Sequence, residues 1–192
     1  MNHLAHLYLS QSNVDLLIGN FIADQVKGKA IYTFSEGIQK GIHMHRDIDS
    51  FTDNHQLVLQ GKSRLYEKYH KYSAVIIDML YDHILAVNWT NYSPISLPLF
   101  AKNCYLFLEA QQAQFPNQSQ RILHYMKKGD WLSSYAEKEG IQKALSGLDY
   151  RAKFDSNMKE SVNDLYEYWD QFESEFTAFF KELVEHCQRN YL

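Results

Sequence analysis

Proline and glycine are scarce in this chain of 192 residues, at 3 and 8. That argues against a turn-rich sheet protein and for long helices. The two cysteines, Cys104 and Cys187, stand far apart with no CxxC spacing. Neither a disulfide framework nor a zinc knuckle is expected, and a reducing compartment fits. No apolar run is long enough to span a bilayer, so no membrane partner is expected. The opening MNHLAHLYLSQSNVD lacks a basic segment followed by a long apolar one. No signal peptide is expected, and the cytoplasm is the default location. Positive charge is not in excess either: the formal net charge is −4, without the basic footprint of a nucleic-acid-binding protein. A P-loop, a GxSxG elbow, a GxGxxG turn and an HExxH pair are all missing, which removes nucleophilic-serine and P-loop chemistry from consideration.

Hydrophobic residues make up 45% and charged residues 22%, ordinary values for a chain that buries a core. No repeat, low-complexity tract or linker interrupts it, so residues 1–192 read as one all-α domain, a helical bundle. A helix is predicted over 13–28, ending at Gly28, and another over 36–52. TDNHQ reads as a fresh start with Asp53 as N-cap. Residues 73–89 are apolar on almost every side and predict an internal helix. After the break at SPISLP, helices are predicted near 98–113, 117–127, 130–138 and 140–147. Leu165, Trp169, Phe172, Phe176, Phe179, Leu183 and Cys187 recur at steps of four and three and predict a last helix whose stripe is core.

The stretch HMHRDIDSFTDNH, residues 43–55, holds three histidines and three aspartates. On a helix, His45 and Asp49 share a face, with Thr52, while Met44, Ile48 and Phe51 form an apolar stripe beside it. Asp47 points elsewhere, into water. On the apolar helix, Asp78 and Asp82 also lie four apart. Two buried carboxylates one turn apart repel, and a cation between them would reconcile them. His83 is adjacent and would reach such a site only at its edge. From GNFIADQVKG come Asn20 and Asp24, four apart, and Lys27, able to meet a phosphate. A mixed Asp/His set from three helices suits Mn²⁺ or Mg²⁺ better than structural zinc. His6, flanked by leucines and alanine, is a core histidine or a supporting neighbour of the site.

Together MNHLAHLYLS, GNFIADQVKG, GIHMHRDIDSFTDNH and DMLYDHILAVNW resemble the acyl carrier protein phosphodiesterase family, in order from Met1 to about Trp89. The resemblance implies a rearranged HD-domain fold, similar to HD-domain metal phosphohydrolases. It implies hydrolysis of the phosphodiester between 4′-phosphopantetheine and a serine of acyl carrier protein, with a divalent cation, typically Mn²⁺, with Mg²⁺ as the alternative. Carried over, it implies Asp24, His45, Asp49, Asp82 and His83 as metal-site residues, with Asp24, His45, Asp49, His83 and Arg46 in catalytic roles. Lys27, Asn20 and Arg46 would meet substrate. His3 and Gln25 depart from the family pattern, and neither is among these residues.

An acidic carrier protein as partner sits oddly with a negative chain. The positive charges Lys27, Lys29, Lys40, Arg46, Lys62, Arg64, Lys68 and Lys71 lie in the segment that bears the motifs, however, and predict a basic rim. Two other readings use the same residues. One is an HD-type phosphohydrolase acting on a nucleotide or other small phosphoester. The other is a helical protein that binds carrier protein without cleaving it.

Overall fold

A computed structural model describes all residues from Met1 to Leu192. It contains eleven α-helices joined by short 3-10 turns, and no strand. In chain order they are α1 His3–Leu9, α2 Val14–Ile22, α3 Glu36–Asn54, α4 Gln56–Tyr69, α5 Ser73–Val87, α6 Leu97–Gln111, α7 Asn117–Lys128, α8 Trp131–Ser134, α9 Lys138–Arg151, α10 Ser161–Glu167 and α11 Trp169–Tyr191. The all-α class read from the sequence is the class observed. No helix is long and apolar enough to cross a membrane.

α5 is the central element. Most of its 15 residues are buried, including Ile76, Ile77, Leu80, Tyr81 and Ile84. It packs against α1, α4, α9, α10 and α11, which explains why its sequence is apolar on nearly every side. The aromatic stripe of α11 closes the core from one flank: Phe172, Phe176, Phe179 and Leu183 are fully buried. Each such side chain stabilises by about 1.5–3 kcal/mol through the apolar surface it removes from water. Buried apolar residues from Met1 to Cys187 form one contiguous cluster.

Four boundaries differ most from expectation. The helix predicted near 130–138 covers only Trp131–Ser134. The predicted helix to Gly28 ends at Ile22, where a 3-10 turn, Ala23–Gln25, takes over and leads to an extended Val26. Gly28 holds a left-handed backbone, φ +55°, but it opens the following 3-10 turn. Asp53 does not cap a new helix. α3 runs on through Asn54, and His55 caps α4 by accepting from the Leu57 N–H through Nδ1. The single last helix is two: Tyr168, at φ −112° and ψ 29°, interrupts it. The core stripe survives the break, with Leu165 buried on one side and Cys187 on the other.

α2 and α3 share the most extensive contact between helices in the fold. Two glycines meet there. A Cβ on Gly19 would fall 2.3 Å from the Ile38 carbonyl oxygen and 2.6 Å from the Gly41 Cα. Only residues without side chains allow backbones this close.

Candidate metal centre

The glycine contact brings the end of α2 alongside the middle of α3. His45 lies one turn beyond Gly41 and Asp49 one turn further, beside the buried stripe of Ile38, Ile42 and Ile48. The 3-10 turn after α2 directs Asp24 at the same place: its Oδ1 is 3.3 Å from His45 Nε2. Asp49 Oδ2 is 3.2 Å from the same nitrogen. The third element is α1, whose His6 ring stacks on His45 with centroids 4.0 Å apart. His6 Nε2 lies 3.2 Å from Asp49 Oδ1. One ligand atom from each of His6, His45 and Asp49 falls within 4.8 Å of the others.

Hydrogen bonds fix the His6 tautomer. The Ser10 hydroxyl donates to the His6 carbonyl at 2.9 Å, so it accepts from the Asn20 amide, also at 2.9 Å. Asn20 Oδ1 is thereby turned to His6 Nδ1, at 3.1 Å, and Nδ1 must carry the proton. Burial, with the charge of His45, pushes the His6 pKa down to about 4, so the ring is neutral. Its Nε2 lone pair then faces a carboxylate oxygen. Two acceptors in contact need a cation between them. A ligating imidazole whose other N–H is held by a neighbour is the usual arrangement around a metal.

His45 tells the same story through its charge. Burial alone would lower its pKa, but hydrogen bonds and charge from Asp24 and Asp49 outweigh this and raise it to about 9. The proton on Nε2 sits between the two carboxylates, where a divalent ion would bind. Its Nδ1 is buried without a partner. Burial would raise the Asp49 pKa, yet the hydrogen bond from protonated His45 holds it below the usual carboxylate range. Asp24 is likewise lowered, chiefly by its hydrogen bond to His45. Two imidazoles and two ionised carboxylates fit a divalent cation of the Mn²⁺ kind.

Asp82 and His83 are not brought into this cluster. The Asp82 carboxylate accepts from the Leu4 N–H at 2.7 Å and the Ala5 N–H at 3.2 Å. It satisfies the open N-terminus of α1, where a negative charge is also favoured. Burial raises its pKa to about 7, against the pull of those bonds. Asp78 accepts from the Met1 ammonium at 2.8 Å. The two carboxylates expected to share an ion are instead reconciled by Met1, Leu4 and Ala5. His83 Nδ1 donates to the Tyr135 carbonyl at 2.6 Å, and Nε2 accepts from the Tyr166 hydroxyl at 3.2 Å. Burial lowers its pKa.

Asn20 is buried and turned to His6 and Ser10 rather than outward. Arg46 is exposed and donates to the Val26 carbonyl at 2.9 Å, which ties α3 to the turn that carries Asp24. Lys27 is exposed on that turn. The remaining aspartates of the 43–55 stretch leave the site: Asp47 meets His186 at 2.7 Å instead of water, and Asp53 pairs with Lys62. Of the expected basic rim, Lys62, Arg64 and Lys68 are already paired, with Asp53, Glu175 and Asp164. The residue that sequence reasoning underrated is His6. Its leucine neighbours suggested a core histidine, and core it is, but with one nitrogen aimed at Asp49.

A family model described as acyl carrier protein phosphodiesterase matches residues 1–183. The chain belongs to the acyl carrier protein phosphodiesterase family. Curated relatives of that name agree over nearly the full length. One from Escherichia coli O6:H1 is 31% identical over 195 residues, covering 100% of both chains. One from Photorhabdus laumondii is 30% identical over 189 residues, covering 98% of this chain and 96% of the relative. One from Pectobacterium atrosepticum is 30% identical over 186 residues, covering 96% of each. No solved structure matches. Within the acyl carrier protein phosphodiesterase family, the segments 1–10, 19–28, 41–55 and 78–89 carried the resemblance, and they supply α1, the α2 turn, α3 and α5 of this fold.

Proposed function

We propose that this chain is a hydrolase that cleaves the phosphodiester between 4′-phosphopantetheine and a serine of holo-acyl carrier protein, using a divalent ion held by His6, His45, Asp49 and Asp24. The observation that carries this reading is the convergence of those donors in a chain of this family. When bound, Mn²⁺ or Mg²⁺ supplies Lewis acidity toward a phosphoryl oxygen and makes a neighbouring water more acidic.

The protein groups divide the remaining work. Asn20 holds His6 in the tautomer that exposes Nε2. Asp49 reaches both histidines, one oxygen to each. Asp24 is the exposed member of the set, with 68% of its side chain open to solvent, so it meets incoming water and substrate first. Arg46 and Lys27 flank it and supply positive charge for the phosphoryl oxygens. Asp82 fixes α1, and with it His6. His83, with both nitrogens engaged, supports the α5 wall rather than moving a proton. The likeness to HD-domain phosphohydrolases belongs to this reading, as does a cytoplasmic site of action, where carrier protein is made and used.

An acidic carrier protein is drawn by the exposed Lys27 and Lys29, which carry no ion-pair partner. Steering from so few charges is local and weakens with salt. The test is direct. Purified protein is mixed with holo-carrier protein and Mn²⁺, and the carrier's mass is followed. Loss of the phosphopantetheine mass, stopped by a chelator and restored by Mn²⁺, is expected. An unchanged carrier alongside nucleotide hydrolysis, or binding without turnover, overturns the reading.

A further inference from the structure

A cavity of about 420 Å³ opens between the start of α1 and α9, within the size range of small-molecule sites. One end is formed by Asn2 and His3, the residues that begin α1, one turn before His6. His3 lies on α1 three residues before His6, whose Nε2 belongs to the donor cluster, so this end of the cavity shares a helix with the centre. From there the cavity follows α9. Its lining positions 140, 143, 144, 147, 148 and 151 fall at helical steps of three and four, a single stripe. At 1.5 Å per residue that stripe is about 16 Å long.

The chemistry of the walls is mixed. Trp131, Leu148 and Met79 are apolar, while Lys143 and Arg151 bring positive charge to the exposed edge. Gly147 leaves the space open. A Cβ there would meet nothing within 4 Å, so no packing contact requires a glycine.

We infer that this cavity receives the pantetheine arm of the substrate, placing the phosphodiester at the donor cluster. The inference rests on the functional reading above. Pantetheine is a linear chain of roughly four residue-lengths, about 14 Å when extended, and it matches the stripe. Its methyl and methylene groups suit Trp131 and Leu148, and its amide carbonyls suit Lys143 and Arg151 as donors.

The test fills the cavity without touching the centre. Gly147→Leu is compared with wild type on holo-carrier protein and on bis(p-nitrophenyl) phosphate, a small diester without the arm, both with Mn²⁺. The variant is expected to lose about tenfold or more in kcat/KM on the carrier and to keep the small-diester rate. Free pantetheine is expected to inhibit wild type competitively. A folded variant with wild-type kcat/KM on the carrier, or one that loses both activities equally, overturns the assignment. If Gly147→Leu does not fold, Lys143→Ala combined with Arg151→Ala at the exposed edge decides, and unchanged KM for the carrier overturns it. Wild-type protein that leaves holo-carrier intact overturns the functional reading instead.

Discussion

Two helices each carry an aspartate and a histidine in close sequence, and the fold treats them oppositely. On α3, His45 and Asp49 face other donors, and the arrangement is balanced only by a proton or a cation. On α5, Asp82 and His83 find every partner within the protein: two backbone N–H groups, a carbonyl and a tyrosine hydroxyl. The residue types are the same. What separates a ligand from a structural polar group is whether its hydrogen-bonding capacity is already matched. A helix N-terminus serves a buried carboxylate as well as a metal does.

Breaking each side of this contrast should give different failures. Asp49→Ala should abolish Mn²⁺-dependent release of phosphopantetheine, by about 10²–10³-fold for several kcal/mol of lost ion stabilisation. Metal-free melting should change little only above about pH 9, where the His45–Asp49 ion pair is already lost. A variant that keeps wild-type turnover would remove Asp49 from the centre. Asp82→Ala should do the reverse, costing about 2–3 kcal/mol by stranding two buried N–H groups. In a domain of this size that lowers Tm by roughly 4–12 °C. If the melting curve is unmoved but calorimetry shows lost Mn²⁺ affinity, the contrast is drawn in the wrong place.

A subtler perturbation is Asn20→Leu, which frees the His6 ring. Mn²⁺ affinity should drop by about 10–100-fold, the usual effect of removing a group that orients a ligand. Equal affinity in a titration would show that the tautomer is set otherwise. The smallest effect is the most informative about charge. In the metal-free protein His45 has a pKa near 9, raised from 6.5. Its ion pairs stabilise fully below about pH 6.5, and this contribution is lost as pH rises through 9. A cation replaces the proton across that same window, so the Mn²⁺-induced gain in Tm should grow with pH. Asp82, raised from 3.8 to about 7, loses stability as pH rises between those values. Metal should not alter that second dependence. A Tm gain from Mn²⁺ that is flat from pH 6.5 to 9 would contradict the His45 assignment.

Helical class, the buried α5 and the α11 stripe were legible because apolar periodicity reports burial directly. His45, Asp49 and Asp24 were visible as candidates from spacing and from family resemblance. The role of Asp82 was not, because it depends on the backbone of Leu4 and Ala5, about eighty residues away in sequence. Local patterns say nothing about which distant N–H groups will be open. His6 was hidden for a related reason. Its apolar neighbours describe where it lies, whereas its place in the candidate centre depends on Asn20 and Ser10, which decide which nitrogen is bare. The early end of α2 was missed because Gly28 offered a plausible stop two turns too late.

The meeting of Gly19 with Gly41 has a consequence for how such a centre can vary. Neither glycine touches a donor atom, yet together they set the gauge between the two rods that carry Asn20, Asp24, His45 and Asp49. A lone methyl at either position would act as a shim, prying the rods apart and stretching every distance within the cluster at once. The spacing of the candidate centre is therefore set by a place where there is no side chain at all.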